Sequence, residues 1–184
     1  MATVTHAREA VIQALYAREQ GGDNWDLLLL ELIENKKLKG KKRELALELW
    51  EGVLSHLSEI DKILKEVLVG WELDRLDKVN KQILRLGIYE MAFKGTPYKI
   101  AISEGVKLAE TFSEGKGRGF VNGVLHNTAK HLGLIEKSSE ETEKGKEAGN
   151  SEKRGGAEGD EVKTVEKGEE SELSPSNPTP KTLF

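Results

Sequence analysis

Apolar residues recur every three or four positions along residues 1–136, with no run that alternates apolar and polar. That period marks helices with one buried face. The spacing predicts a first helix with Ala7, Ala10, Val11, Ala14 and Leu15 on one stripe. Gly21 and Gly22 stop it, and Asp23 suits the cap of a second helix from Asn24 to about Asn35. A long third helix is predicted from about Lys42 to Val69, with Leu45, Leu49, Val53, His56, Ile60, Ile63 and Val67 inward and Gly70 as its end. The fourth spans about Asp77 to Lys94 and turns Val79, Ile83, Leu86 and Met91 inward. Pro97 then suits the first position of a fifth helix, with Thr96 as cap. That helix carries Ala101, Gly105, Leu108 and Phe112 on one stripe, and Ile102, Val106 and Ala109 on the next. After a glycine-rich loop from Glu114 to Gly119, the last helix buries Val121, Val124, Leu125, Thr128 and Leu132. The expected fold is all-α, with about six helices. Gly87, Gly105 and Gly123 fall inside helices, where each is worse than Ala by roughly 1 kcal/mol, so close approach of neighbouring helix backbones is expected there.

The pattern stops after Glu136. Residues 137–184 are mainly Ser, Glu, Lys and Gly, with Pro175, Pro178 and Pro180 near the end and few, scattered apolar positions. Such a segment cannot bury enough surface to offset roughly 1–2 kcal/mol of backbone entropy per ordered residue, and it reads as a disordered tail. A solubilising role is the plain reading; docking through Leu183 and Phe184 is the other. The division expected is a helical domain over 1–136 and an acidic tail over 137–184. The tail holds 8 Lys/Arg and 12 Asp/Glu, so it carries the whole formal charge of −4. The domain is therefore neutral and can bind nucleic acid only through a local patch.

Chemistry is sparse. With no cysteine, disulfide scaffolds, thiolate zinc sites and cysteine nucleophiles are excluded. His6, His56, His126 and His131 make no i, i+4 pair and no HExxH. His56 falls on a core stripe. No run of about 18 apolar residues occurs, and residues 1–9 lack the apolar stretch of a signal peptide, so a cytoplasmic protein is expected. Gly115-Lys116-Gly117-Arg118-Gly119 matches no nucleotide-loop pattern. It is either a connection or a loop whose Lys116 and Arg118 meet a phosphate backbone. Lys36, Lys37, Lys39, Lys41, Lys42 and Arg43 form the densest positive run, either a solvated surface or a nucleic-acid contact. Neither a catalytic constellation nor a metal or cofactor site is expected; the chain reads as a binding protein.

Four segments resemble one family. Ala7-Arg8-Glu9-Ala10-Val11-Ile12-Gln13-Ala14-Leu15-Tyr16 resembles the opening helix of the NusB family. Ile83-Leu84-Arg85-Leu86-Gly87-Ile88-Tyr89-Glu90-Met91 is similar to its fourth-helix signature, and Pro97-Tyr98-Lys99-Ile100-Ala101-Ile102-Ser103-Glu104-Gly105-Val106 to its Pro-x-Lys-Val-Ala-Ile-Asn-Glu-Ala motif. Phe120-Val121-Asn122-Gly123-Val124-Leu125 matches its Phe-[Val/Ile]-Asn-Gly-Val-Leu motif. Together these cover nearly all of residues 5–133. The resemblance implies two helical sub-bundles and a transcription antitermination factor without cofactor. It implies pairing with the ribosomal protein NusE on the single-stranded boxA element of nascent ribosomal RNA, within an RNA polymerase antitermination complex. Where the family often has several arginines, this chain has Val4, Thr5 and His6 before Arg8. Ser103 stands for its usual Asn, Gly105 for an Ala, and His126 for an acidic residue. A NusB-like domain also precedes some rRNA cytosine methyltransferases; on that reading the chain would hold RNA for a separate modifying enzyme. A protein scaffold without RNA contact is the third reading.

From the resemblance, Arg8, Lys116, Arg118 and Lys130 are expected to meet phosphates. Tyr16 either stacks on a base or packs in the core, and Asn122 either bonds a base edge or caps the last helix. The surface around Arg85, Glu90 and Lys99 is expected to take the protein partner; the other reading of Glu90 is an intramolecular ion pair.

Overall fold

The computed structural model describes residues 1–113 and 117–135, all of them helix, turn or loop. Seven α-helices follow in order: α1 (Val4–Glu19), α2 (Trp25–Asn35), α3 (Lys41–Ser55), α4 (Leu57–Val67), α5 (Lys78–Tyr89), α6 (Tyr98–Phe112) and α7 (Arg118–His131). A short 3-10 turn, Leu73–Arg75, precedes α5, and a π turn, Glu90–Lys94, extends it. The residues expected to form the tail lie outside the described residues, as do Glu114, Gly115 and Lys116 of the glycine-rich loop.

Helix α1 is the hub. It packs against α2 and α3 on one side and against α5 and α6 on the other. Accordingly its buried face is broad: Ala7, Ala10, Val11, Ile12, Ala14 and Leu15 are all buried. Thr3 caps it in a box closed by His6, whose ring nitrogen accepts from the Thr3 N–H at 2.8 Å. The second bundle gathers α4, α5, α6 and α7.

The single third helix expected from the periodicity is broken at His56. There φ is −110° and ψ 17°, and the ring Nδ1 lies 2.9 Å from the Gly52 carbonyl. A side chain that bonds its own helix ladder bends or ends the helix. The ring also packs on Phe93, 4.4 Å between centroids, so the break has a tertiary anchor. The second helix starts at Trp25 with Asn24 in the left-handed region, and Asp23 is not its cap.

Two of the three glycines expected inside helices behave as close-approach sites, though the neighbour is a side chain. A Cβ on Gly87 would lie 2.7 Å from a Leu125 methyl, and one on Gly105 would lie 2.6 Å from the other methyl. Gly123 meets nothing within 4 Å. Gly123→Ala should therefore raise stability by about 0.5–1 kcal/mol through helix propensity. Gly87→Ala, with the same propensity gain, should instead lose about 1–3 kcal/mol to overpacking against buried Leu125. Urea unfolding of the two variants checks this; equal shifts would refute the packing argument.

Candidate nucleic-acid interface

Two openings flank the first turns of α7. On one side a groove runs between α6 and α7. Its walls include Lys99, Lys107, Arg118, Asn122 and His126. Arg118 and Asn122 are four residues apart on one helical face and both are exposed. Arg118 pairs with Glu110 at 2.8 Å but remains 62% exposed, so the guanidinium can exchange that carboxylate for a phosphate. Asn122 lies inside α7, which begins at Arg118 with Gly117 as cap. The capping alternative for Asn122 is thereby removed.

On the other side lies a cavity of about 580 Å³, walled by Trp71, Val79, Asn80, Phe112 and Phe120. The rings of Trp71 and Phe120 are 5.6 Å apart and tilted. Trp71 is 59% exposed at the mouth. Asp77 caps α5 by accepting from the Asn80 N–H at 2.9 Å. Ser113 Oγ donates to Asn80 Oδ1 at 2.7 Å, which holds the amide in place. Gly117 crosses so close to this amide that a Cβ there would collide with it. Aromatic walls with one fixed amide suit a flat, polar-edged ring such as a nucleobase.

Arg8 is elsewhere. It is 5% exposed, its guanidinium clamped side-on by Glu90 (Nε–Oε2 2.9 Å, Nη2–Oε1 2.6 Å) and reached by Glu104 at 3.3 Å. Burial pushes the guanidinium pKa down, but the hydrogen bond and charge of Glu90 and the charge of Glu104 outweigh it and leave it raised. This corrects the expected phosphate contact: the side chain is enclosed and already paired. Glu90 is corrected with it, being 1% exposed and committed to Arg8 rather than to a protein partner. Arg85 is mostly buried as well, bonded to both Asp61 oxygens at 2.8 Å and to Glu19 at 3.2 Å. Its pairing draws α1, α4 and α5 together. Lys99, exposed at the start of α6, belongs to the α6–α7 groove and not to a surface shared with Arg85 and Glu90.

Tyr16 is 38% exposed on α1, which removes the core alternative, and it lines neither opening. Lys130 is exposed near the end of α7. Trp71 and Asn80 were not singled out by the sequence pattern, and Phe112 and Phe120 stood out only as a core-stripe position and as the head of a family motif. The one available signal was an aromatic residue, Trp71, in the short charged stretch between Gly70 and the next helix. Among the described residues no His/Asp/Glu group could hold a metal ion, and no helix is long and apolar enough to cross a membrane.

The comparisons agree with this architecture. A profile described as NusB family matches residues 5–130. Transcription antitermination protein NusB of Wolinella succinogenes is 41% identical over 125 residues, covering 68% of this chain and 93% of that protein. Its counterpart from Nitratiruptor sp. is 39% identical over 132 residues, covering 72% and 95%. Among solved structures, T. maritima NusB superimposes with a TM-score of 0.64 at 30% identity, over 71% of this chain and 93% of that one. A chain from the crystal structure of antitermination factors NusB and NusE in complex with dsRNA does so with a TM-score of 0.62 at 32% identity, over 69% and 96%. With more than half of the sequence matched by the profile and the described helices matched in space, this chain belongs to the NusB family, whose members here are transcription antitermination proteins rather than enzymes.

Proposed function

We propose that this chain acts in transcription antitermination by binding single-stranded RNA of the boxA type jointly with a NusE protein, within an RNA polymerase antitermination complex. The observation that carries the RNA reading is the aromatic cavity of Trp71, Phe112 and Phe120 around the Asn80 amide, set beside the cationic α6–α7 groove. Unpaired bases can enter such a cavity; bases held in a duplex stack cannot. The groove supplies the backbone contacts that position a strand, and the cavity supplies base contacts. The NusE partner is supported by the neighbour solved as a NusB–NusE complex with RNA. An apolar rim beside the cavity, with Val69 and Trp71 exposed, offers surface that a protein lying alongside the RNA can cover.

With Arg8 enclosed, the phosphate contacts proposed are Lys116, Arg118 and Lys130. Three phosphates predict a slope of log affinity against log salt near −2 on a single strand short enough to span only these contacts. Without a large cationic surface of its own, the neutral domain should need its partner. The experiment is a titration of a short boxA RNA against this chain alone, NusE alone and both. The mixture should bind at least tenfold more tightly than either protein, and the RNA must tighten the protein pair by the same factor. Equal affinity for the chain alone and for the mixture would overturn the joint mode, and a slope near zero would overturn the phosphate contacts.

A further inference from the structure

Resting on the RNA reading above, we infer that the loop joining α2 to α3, with the first residue of α3, is a second phosphate-binding surface for single-stranded RNA, carried by Lys37, Lys39 and Lys41. The structure sorts the six cations of residues 36–43 into two sets. Lys36 pairs with Glu9 at 2.8 Å, Lys42 donates to the Ala2 carbonyl at 2.6 Å, and Arg43 pairs with Glu34 at 2.6 Å. These three hold the loop to its surroundings. Lys37, Lys39 and Lys41 are exposed, and none has an ion pair or side-chain hydrogen bond among the described residues. Three unpaired lysines at alternate positions present their ammonium groups to solvent from a segment that is itself fixed.

The fixing is visible in the backbone. The Lys37 N–H donates to the Glu34 carbonyl at 2.9 Å and the Leu38 N–H to the Ile33 carbonyl at 3.0 Å. That pair of bonds closes helix α2 as a Schellman motif, and Leu38 packs inward beside Ile33, both buried. Lys37 takes the left-handed position of the motif, with φ of 52°. Glycine occupies that position most cheaply, and a side chain there is disfavoured by about 1 kcal/mol. The helix end would be more stable with glycine, so the fold itself gives no reason for lysine. A cation held against a backbone preference points to a use for its charge.

The position of the loop says what the charge faces. Lys42 ties it to Ala2, just ahead of α1. On the first turn of α1, Thr5 donates to Glu104 at 2.8 Å, and Glu104 pairs with Lys107 at 2.7 Å. Lys107 and Arg118 line the same groove. A continuous series of contacts therefore leads from the lysine loop, past the start of α1, to the cationic groove. A strand leaving the groove at Lys107 crosses that turn and meets the three lysines. In a neutral domain these are the largest reserve of unpaired positive charge among the described residues outside the groove.

The test compares wild type with K37G/K39Q/K41Q, and with K39Q/K41Q, which leaves the left-handed residue alone. The probes are unstructured single-stranded RNAs of about 12 and about 24 nucleotides, followed by fluorescence anisotropy from roughly 0.05 to 0.2 M KCl. Wild type should show a salt slope steeper by about 2 on the long RNA than on the short one. The triple variant should lose that difference, with a fall in long-RNA affinity on the order of 100-fold at about 0.1 M salt, while short-RNA affinity stays at the wild-type value. K39Q/K41Q should lose about two-thirds of the difference. The melting temperature of the triple variant should equal or exceed that of wild type, because glycine relieves residue 37. Unchanged long-RNA affinity and slope in the triple variant would overturn the inference and leave the RNA reading standing. Loss of polyglutamate binding with RNA binding retained would assign the surface to an acidic protein and overturn it too. Failure of wild type to bind either RNA would instead overturn the RNA reading on which the inference rests.

Discussion

Replacing Glu90 by alanine should lower the unfolding free energy by about 3–5 kcal/mol, roughly 10–15 °C in melting temperature for a domain of this size. The reason is the asymmetry of a buried pair. Arg8 and Glu90 are both enclosed, and among the described residues the guanidinium is satisfied by Glu90 and Glu104 alone. Removing one carboxylate strands a cation that cannot be neutralised and has little access to water. Glu90 opens the π turn Glu90–Lys94, and the Thr96 N–H closes the turn on the Glu90 carbonyl at 2.8 Å. Glu90→Lys should be worse still, since it sets two cations together. The double replacement Arg8→Met with Glu90→Leu should recover most of the loss, because an apolar pair of similar volume leaves nothing unpaired. Similar losses for Glu90→Ala and for the double variant would refute the account.

The same cluster should make stability fall in acid. Burial pushes the Glu104 carboxyl up, but hydrogen bonds from Lys107 and Thr5, with the charges of Arg8 and Lys107, outweigh it and hold its pKa below the ordinary 4.5. A carboxylate whose folded pKa is depressed stabilises the fold above its unfolded value. That contribution fades as the pH drops through the folded value. Glu104→Gln should flatten the stability profile below pH 4.5.

What the sequence revealed and what it hid follow one rule. Helices α1, α6 and α7 were legible because their apolar stripes repeat over many residues, and Ala7, Leu108 and Leu125 are buried where the period puts them. The break at His56 was not, because its cause is a ring stacked on Phe93, far along the chain. Arg8 read as a surface cation because its two carboxylates stand 82 and 96 residues away. Gly52 offered no signal either, although the Tyr89 ring fills the space where its Cβ would be. The groove was half legible: Arg118 and Asn122 share a helical face by spacing alone, whereas Lys107 joins them only through the packing of α6 on α7. The aromatic cavity was not legible at all, since Trp71, Asn80, Phe112 and Phe120 come from four separate stretches.

The cavity leads to the second large effect. Phe120→Leu should weaken binding of single-stranded RNA by about 1–3 kcal/mol, roughly 5- to 100-fold, with little change in stability. Leucine keeps an apolar side chain against α5 and α6 but has no π face for a base. Phe120→Trp, which keeps the face, should retain affinity. The salt slope should be the same in all three proteins, because stacking releases no counterions. That invariance separates the cavity from Arg118, whose loss should instead make the slope shallower by about 0.7 on a single strand. Trp71 packs on Phe120 at 5.6 Å, so the two rings form one aromatic wall on which a single base can stack. Trp71→Ala combined with Phe120→Leu should then lose less than the sum of the separate changes, since either alone already releases that base. Wild-type affinity in Phe120→Leu would mean that no base enters the cavity, and binding would have to run through the cationic groove alone.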